Sequence, residues 1–150
     1  MPFTRWLLAL CGLVVAQVAP ASGSSWELPE FEEVHYSVSW GILPAGKGMF
    51  RARATPGGHV LRAQICSTGL VDAFHPVRDQ VYSEVQPHQG VPQPAYFRLT
   101  QMEGDRRLET ILEFLPDDRV RIEKRKKGKV KKVKAQQVPP GTHDPLSIIY

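Results

Sequence analysis

The sequence predicts an all-β, mainly antiparallel fold. It reads as a strongly curved meander sheet or partly open barrel of about seven or eight strands, with a helix starting near residue 144. Three observations carry this. Apolar residues recur with period two almost throughout. Gly- and Pro-rich turns punctuate them at short intervals. No stretch before Asp144 keeps a helical period for more than about two turns.

Val34, Tyr36, Val38 and Trp40 alternate with His35, Ser37 and Ser39, and Phe50, Ala52 and Ala54 alternate with Arg51 and Arg53. Leu61, Ala63 and Ile65 follow the turn at Pro56-Gly57-Gly58, opposite Arg62 and Gln64. Val81, Ser83 and Val85 come next, then Ala95, Phe97 and Leu99 after QPHQGVPQP, which reads as a Pro-rich loop. Leu108, Thr110, Leu112 and Phe114 oppose Arg107, Glu109 and Glu113, and Val120 and Ile122 lead into a basic run. Such alternation is that of an antiparallel sheet with one wet face. Further hairpin turns fit Glu103-Gly104-Asp105, Pro116-Asp117-Asp118 and the region of Gly128. Gly46 and Gly48 suit a bulge or a tight bend. STGLVDAFHPV has room for one helical turn, ended by Pro76.

The first 21 residues read differently. Arg5 precedes an apolar run, WLLALCGLVVAQVA, and Ala19-Pro20-Ala21 follows with small residues. This is the pattern of a cleaved secretory signal peptide over residues 1–21, cut after Ala21 or Gly23. An uncleaved anchor and a lipoprotein acylated on Cys11 are the alternatives. Against the second, Leu10 stands where a small residue is needed. The remaining residues, 22–150, are short enough for a single domain. Export is the expectation. Cleavage leaves Cys66 alone, either a packed thiol or half of a disulfide with a cysteine beyond residue 150.

Net charge is +4, with 19 basic and 15 acidic residues in all. The excess is local: Arg119 to Lys134 holds ten Lys or Arg against Glu123 alone. Lys124, Arg125, Lys126, Lys127, Lys129, Lys131, Lys132 and Lys134 form a basic surface. Nucleic acid is not the expected partner, because an exported protein rarely meets it and the run lacks aromatic residues for stacking. A solvated hairpin whose lysines discourage edge pairing is one reading. Contact with an anionic membrane surface or an acidic envelope polysaccharide is the other.

Asp72, His75, Arg78 and Asp79 fall within one short turn. As a catalytic group, His75 would be a base oriented by Asp72 or Asp79. As a structural one, the turn would have an aspartate capping backbone N–H groups and pairing with Arg78, at the mouth of a pocket or away from one. His143, Asp144 and Ser147 lack the strained elbow of a nucleophilic serine, and Asp144 before Pro145 is a natural helix cap. The five histidines are scattered and no Cys-x-x-Cys is present, so neither a metal site nor a cofactor is expected.

Three stretches in order, YSVSWGILPAGKGMFRA, STGLVDAFHPVRDQVYSEV and VPPGTHDPLSIIY, with QPAYFRLTQMEGDRRLETILEF between the last two, resemble a family of exported bacterial proteins known only as a domain of unknown function. The resemblance runs from about Glu33 to Tyr150. It implies a secreted or periplasmic protein of mostly antiparallel β structure, and it makes Pro76, Arg78 and Asp79 family positions. Taken with the expected export, it implies the periplasm or outer envelope of a bacterium. It brings no catalytic residue. It also implies a continuation past the Asp-Pro-Leu-Ser segment into a helix and further strands, so a C-terminal truncation is expected here.

The expected function is non-enzymatic. A curved sheet binds a lipid or other amphipathic small molecule through Tyr36, Trp40, Phe50, Phe97 and Phe114, joined by Val38 and Leu112. These same residues would equally make a plain core. A structural module pairing with another envelope protein through a sheet edge is the alternative, its partner unknown. A hydrolase-like enzyme using the His75 turn is the third.

Overall fold

A computed structural model describes residues 29–88 and 91–149, with the side chain of Trp40 outside that description. The expected signal peptide lies outside the described residues, as does Tyr150. Eight strands follow one another as β1 Phe31–Trp40, β2 Leu43–Thr55, β3 Gly58–Ser67, β4 Arg78–His88, β5 Val91–Glu103, β6 Arg106–Leu115, β7 Arg119–Lys126 and β8 Lys129–Gln137. They form one sheet in chain order, every neighbour antiparallel. β1 and β8 are its edges, so the sheet stays open instead of closing into a barrel. The one helix among the described residues, α1 Gly69–Phe74, joins β3 to β4 and ends before Pro76, whose ring is incompatible with a continuing helix.

Alternation sorts the sheet into two faces. One row of cross-strand partners reads Ala52, Leu61, Ser83, Phe97, Leu112, Ile122, Lys134. The next reads Val34, Phe50, Ala63, Val81, Leu99, Thr110, Lys124, Lys132. This face is apolar from β1 to β6 and basic at the β7–β8 end. The opposite face carries Glu33, Arg51, Arg62, Tyr82, Arg98, Ile111 and Glu123 in one row. Phe50, Ala52, Leu61, Val85 and Leu146 make the buried core, with Ala63 and Val81 packed against it. Leu61 is completely buried.

Turns follow the expected chemistry. Gly104, Gly128 and Gly58 all have positive φ, as a left-handed turn position requires. Gly58 has a second reason: a Cβ there would sit 2.0 Å from the Val85 carbonyl oxygen of β4. The register slips between Val38 and Ser39, whose partners are Gly46 and Pro44, so Ala45 is the extra residue of a bulge beside Gly46.

Two expectations are corrected. QPHQGVPQP is not a loop: Gln86, Pro87 and His88 pair with Gln93, Pro92 and Val91 at the tip of a hairpin. Pro87 faces Pro92 there, and neither can donate across the ladder, which is tolerable only at a strand end. The segment at Asp144 is a capped turn within the described residues, not a helix: the Ile148 N–H reaches the Asp144 carbonyl (3.2 Å), and the Ile149 N–H reaches that of Leu146 (3.2 Å).

Candidate functional site

The apolar face is half covered. Its cover is the turn at Asp144, and that turn is fastened by one carboxylate. Asp144 is 1% exposed. Its Oδ1 accepts the N–H groups of Leu146 (2.7 Å) and Ser147 (3.0 Å), as an N-cap does. Its Oδ2 accepts the Ser83 hydroxyl from β4 (2.6 Å). Ser147 Oγ completes the box by accepting the Asp144 N–H (3.0 Å), and lies 3.2 Å from His143 Nδ1. A buried carboxylate with three donors is satisfied, and it pins Leu146 onto Phe50, Ala52, Leu61 and Val85. His143, Asp144 and Ser147 therefore meet as a cap, with the serine hydroxyl turned to backbone.

Towards β1 the same face is bare. Tyr36, Val38 and Ile65 are 56%, 54% and 53% exposed. Gly46 and Gly48 lie between them on β2 and add no side chain. Ile42 in the β1–β2 turn and Leu70 and Phe74 on α1 are exposed as well, and Phe74 is 86% exposed.

The corner that carries α1 holds the residues of the VDAFHPVRD turn. Arg78 donates through Nη1 to Asp72 Oδ1 (2.5 Å) and through Nη2 to Oδ2 (3.0 Å), a two-point clamp. Ser67 Oγ donates to Asp72 Oδ1 (2.7 Å) and accepts the Val77 N–H (2.8 Å). Arg78 beside it, with Ser67 second, holds the Asp72 carboxyl down at about 2. Asp79 Oδ1 accepts the Met102 N–H (3.0 Å). Both aspartates are thus engaged by groups other than His75, whose ring is exposed. This geometry fixes a corner; it presents no oriented base.

Of the other sequence candidates, Phe50 and Phe97 are buried in the sheet's apolar face, and Phe114 is half-buried. Phe114 lines a pocket of about 310 Å³ with Pro94, Pro116, Arg119 and Val138 at the opposite end of the sheet. Trp40 lies on β1, its side chain outside the described residues. Lys124, Lys126, Lys127, Lys129, Lys131, Lys132 and Lys134 are exposed. Arg125 is not free basic surface: it donates to Glu123 (2.5 Å) and Glu109 (3.3 Å). Arg125, and Arg121 beside it, hold the Glu123 carboxyl below its usual range. Cys66 is half-buried and unpaired among the described residues. Those residues also hold no cluster of His, Cys, Asp and Glu fit for a metal. Sequence reasoning missed Ser67 and Ser83. Each is a small polar residue at a buried place on a strand, which was the available signal.

Comparison with known proteins gives one match. Residues 35–150 match the family described as "Protein of unknown function (DUF3108)". No curated protein and no solved structure matches the chain. The matched span is most of the chain, and the chain belongs to that family.

Proposed function

We propose that this member of the DUF3108 family is an exported envelope protein that binds an amphipathic molecule on the apolar face of its sheet. The observation that carries the reading is the order of side chains along that face. Exposed Tyr36, Val38 and Ile65 stand at one end and Lys124, Lys132 and Lys134 at the other. Acyl chains gain from leaving water at the first, by about 0.8 kcal/mol per methylene buried. Acidic head groups gain from the second, in a manner that salt weakens. Leu99, Leu112 and Ile122 are half-buried between the two ends and supply an apolar path. The protein's role is binding and not turnover, since the His75 corner is committed to Asp72–Arg78 geometry. Native mass spectrometry of the full chain purified from a bacterial envelope tests this. A lipid-sized adduct is expected, and its absence from protein purified without detergent would count against the reading.

A second reading has its own observation. The two edges differ: β8 carries Lys129, Lys131, Lys132 and Lys134, whereas β1, FEEVHYSVSW, has neither lysine nor proline. Lysines guard an edge against strand addition. β1 is then the edge on which a partner's strand would add, in an envelope assembly.

A further inference from the structure

Most arginines of the sheet are paired with carboxylates. Arg51, Arg78, Arg106, Arg119, Arg121 and Arg125 each lie within 4 Å of a carboxylate. Arg62 and Arg98 have no such partner among the described residues. Arg53 and Arg107 have none either, and all four are exposed, but only Arg62 and Arg98 lie over an aromatic ring among the described residues. Arg62 and Arg98 are held. They flank Tyr82 in one cross-strand row, Arg62 on β3 and Arg98 on β5. Their guanidinium carbons lie 5.5 and 5.8 Å from its ring centre. The ring itself is fixed. Its hydroxyl donates to Glu84 Oε1 (2.6 Å), and its edge packs against Tyr96 at 6.1 Å.

Stacking uses the flat face of a guanidinium and leaves its in-plane N–H donors available. Arg62 and Arg98 also line a pocket of about 220 Å³, together with Gln64, Gln80, Tyr82 and Thr100. None of the lining residues is acidic. Glu84, the acid on the same strand and face, is engaged by the Tyr82 hydroxyl. Two positive charges are therefore fixed around a concave, donor-rich space with nothing negative in it. An anion in that space is attracted by both charges, and nothing acidic in the lining opposes it.

We infer that Arg62 and Arg98, with Gln64, Gln80 and Thr100, bind a tetrahedral oxyanion, a phosphate or sulfate group. The group belongs to a free small molecule or to a phospholipid head. The site is on the other side of the sheet from the proposed apolar site, so the two stand or fall separately.

Titration of the full chain with inorganic phosphate at low salt, followed by NMR of the arginine Nε–Hε signals, tests it. Arg62 and Arg98 signals should shift saturably. Arg62→Gln and Arg98→Gln should each weaken binding by about tenfold or more, as loss of a charge-assisted pair does. Arg53→Gln should leave it unchanged. Both arginines are exposed, and circular dichroism should find the variants folded as the parent. Flotation with vesicles of phosphatidylcholine and phosphatidic acid then assigns the source. Vesicle binding lost in the Arg62→Gln/Arg98→Gln variant marks a lipid head group, and vesicle binding unchanged there marks a free phosphate compound. The site is overturned if no saturable shift occurs, or if the double variant binds phosphate as the parent does.

Discussion

Two parts of one sheet face have the same alternating sequence and opposite fates. Under the Asp144 turn, Phe50, Ala52, Leu61 and Val85 are dry. Four residues further along β3, and on the nearby β1, Ile65, Tyr36 and Val38 are more than half exposed. Alternation alone cannot separate them, because it specifies a face and says nothing of what covers it. The difference comes from one fastening, the Asp144–Ser83 bond and the Leu146 side chain it seats. A covered patch is core and contributes stability. A bare patch contributes little to folding.

The sharpest way to break the comparison is to cut equivalent side chains on both parts. Leu61→Ala should destabilise the fold by about 2–5 kcal/mol, because it empties a fully buried position. Ile65→Ala, one strand face along, should cost no more than about 0.5 kcal/mol. Urea unfolding of the two variants checks both values. Similar losses would mean that the bare end is covered in solution.

The fastening itself should rank next. Asp144→Ala removes the cap and leaves the Ser83 hydroxyl without its acceptor, at a cost of about 2–3 kcal/mol. Ser83→Ala removes one of three donors to a buried carboxylate and should cost about 1–2 kcal/mol. Amide exchange at Leu146 and Ser147 should accelerate in both variants before exchange in β3 does.

A smaller effect should come from acid. The Asp72 carboxyl is held at about 2, against an ordinary 3.8, first by Arg78 and then by Ser67. A depressed carboxylate favours the folded corner above its unfolded value, and that contribution fades as pH falls from about 4 towards 2. Arg78→Met should flatten this part of the pH dependence. Melting temperature against pH, parent beside variant, reads the difference. Because the corner carries α1 and its exposed Leu70 and Phe74, acid should loosen the bare end before the core.

Much of the sheet could be read from residues alone. Period two located the strands, and PGG, EGD, PDD and the Gly128 region marked hairpins that the fold contains. Asp144 before Pro145 marked a cap, and Asp144 caps. What it caps was not legible: a turn and a helix begin with the same signal, and contacts made later decide between them. The prolines of QPHQGVPQP suggested a loop, although prolines are tolerated where a strand ends. Tyr36, Phe50, Phe97 and Phe114 share one face of the sheet, but whether Phe50 is core and Tyr36 bare depends on where Leu146 lands. The Arg62–Tyr82–Arg98 row was invisible for a different cause. Its members are 20 and 16 residues apart, and only the strand register brings them side by side.

One measurement bears most directly on the claim that the bare end of the apolar face binds a ligand. The uncharged dye N-phenyl-1-naphthylamine is titrated into the full chain and into Val38→Glu and Ile65→Glu, both at exposed positions that the fold does not need. Saturable fluorescence enhancement in the parent, weakened in both variants while their unfolding midpoints stay put, is the expected result. No enhancement in the parent, or equal enhancement in all three, would contradict the claim.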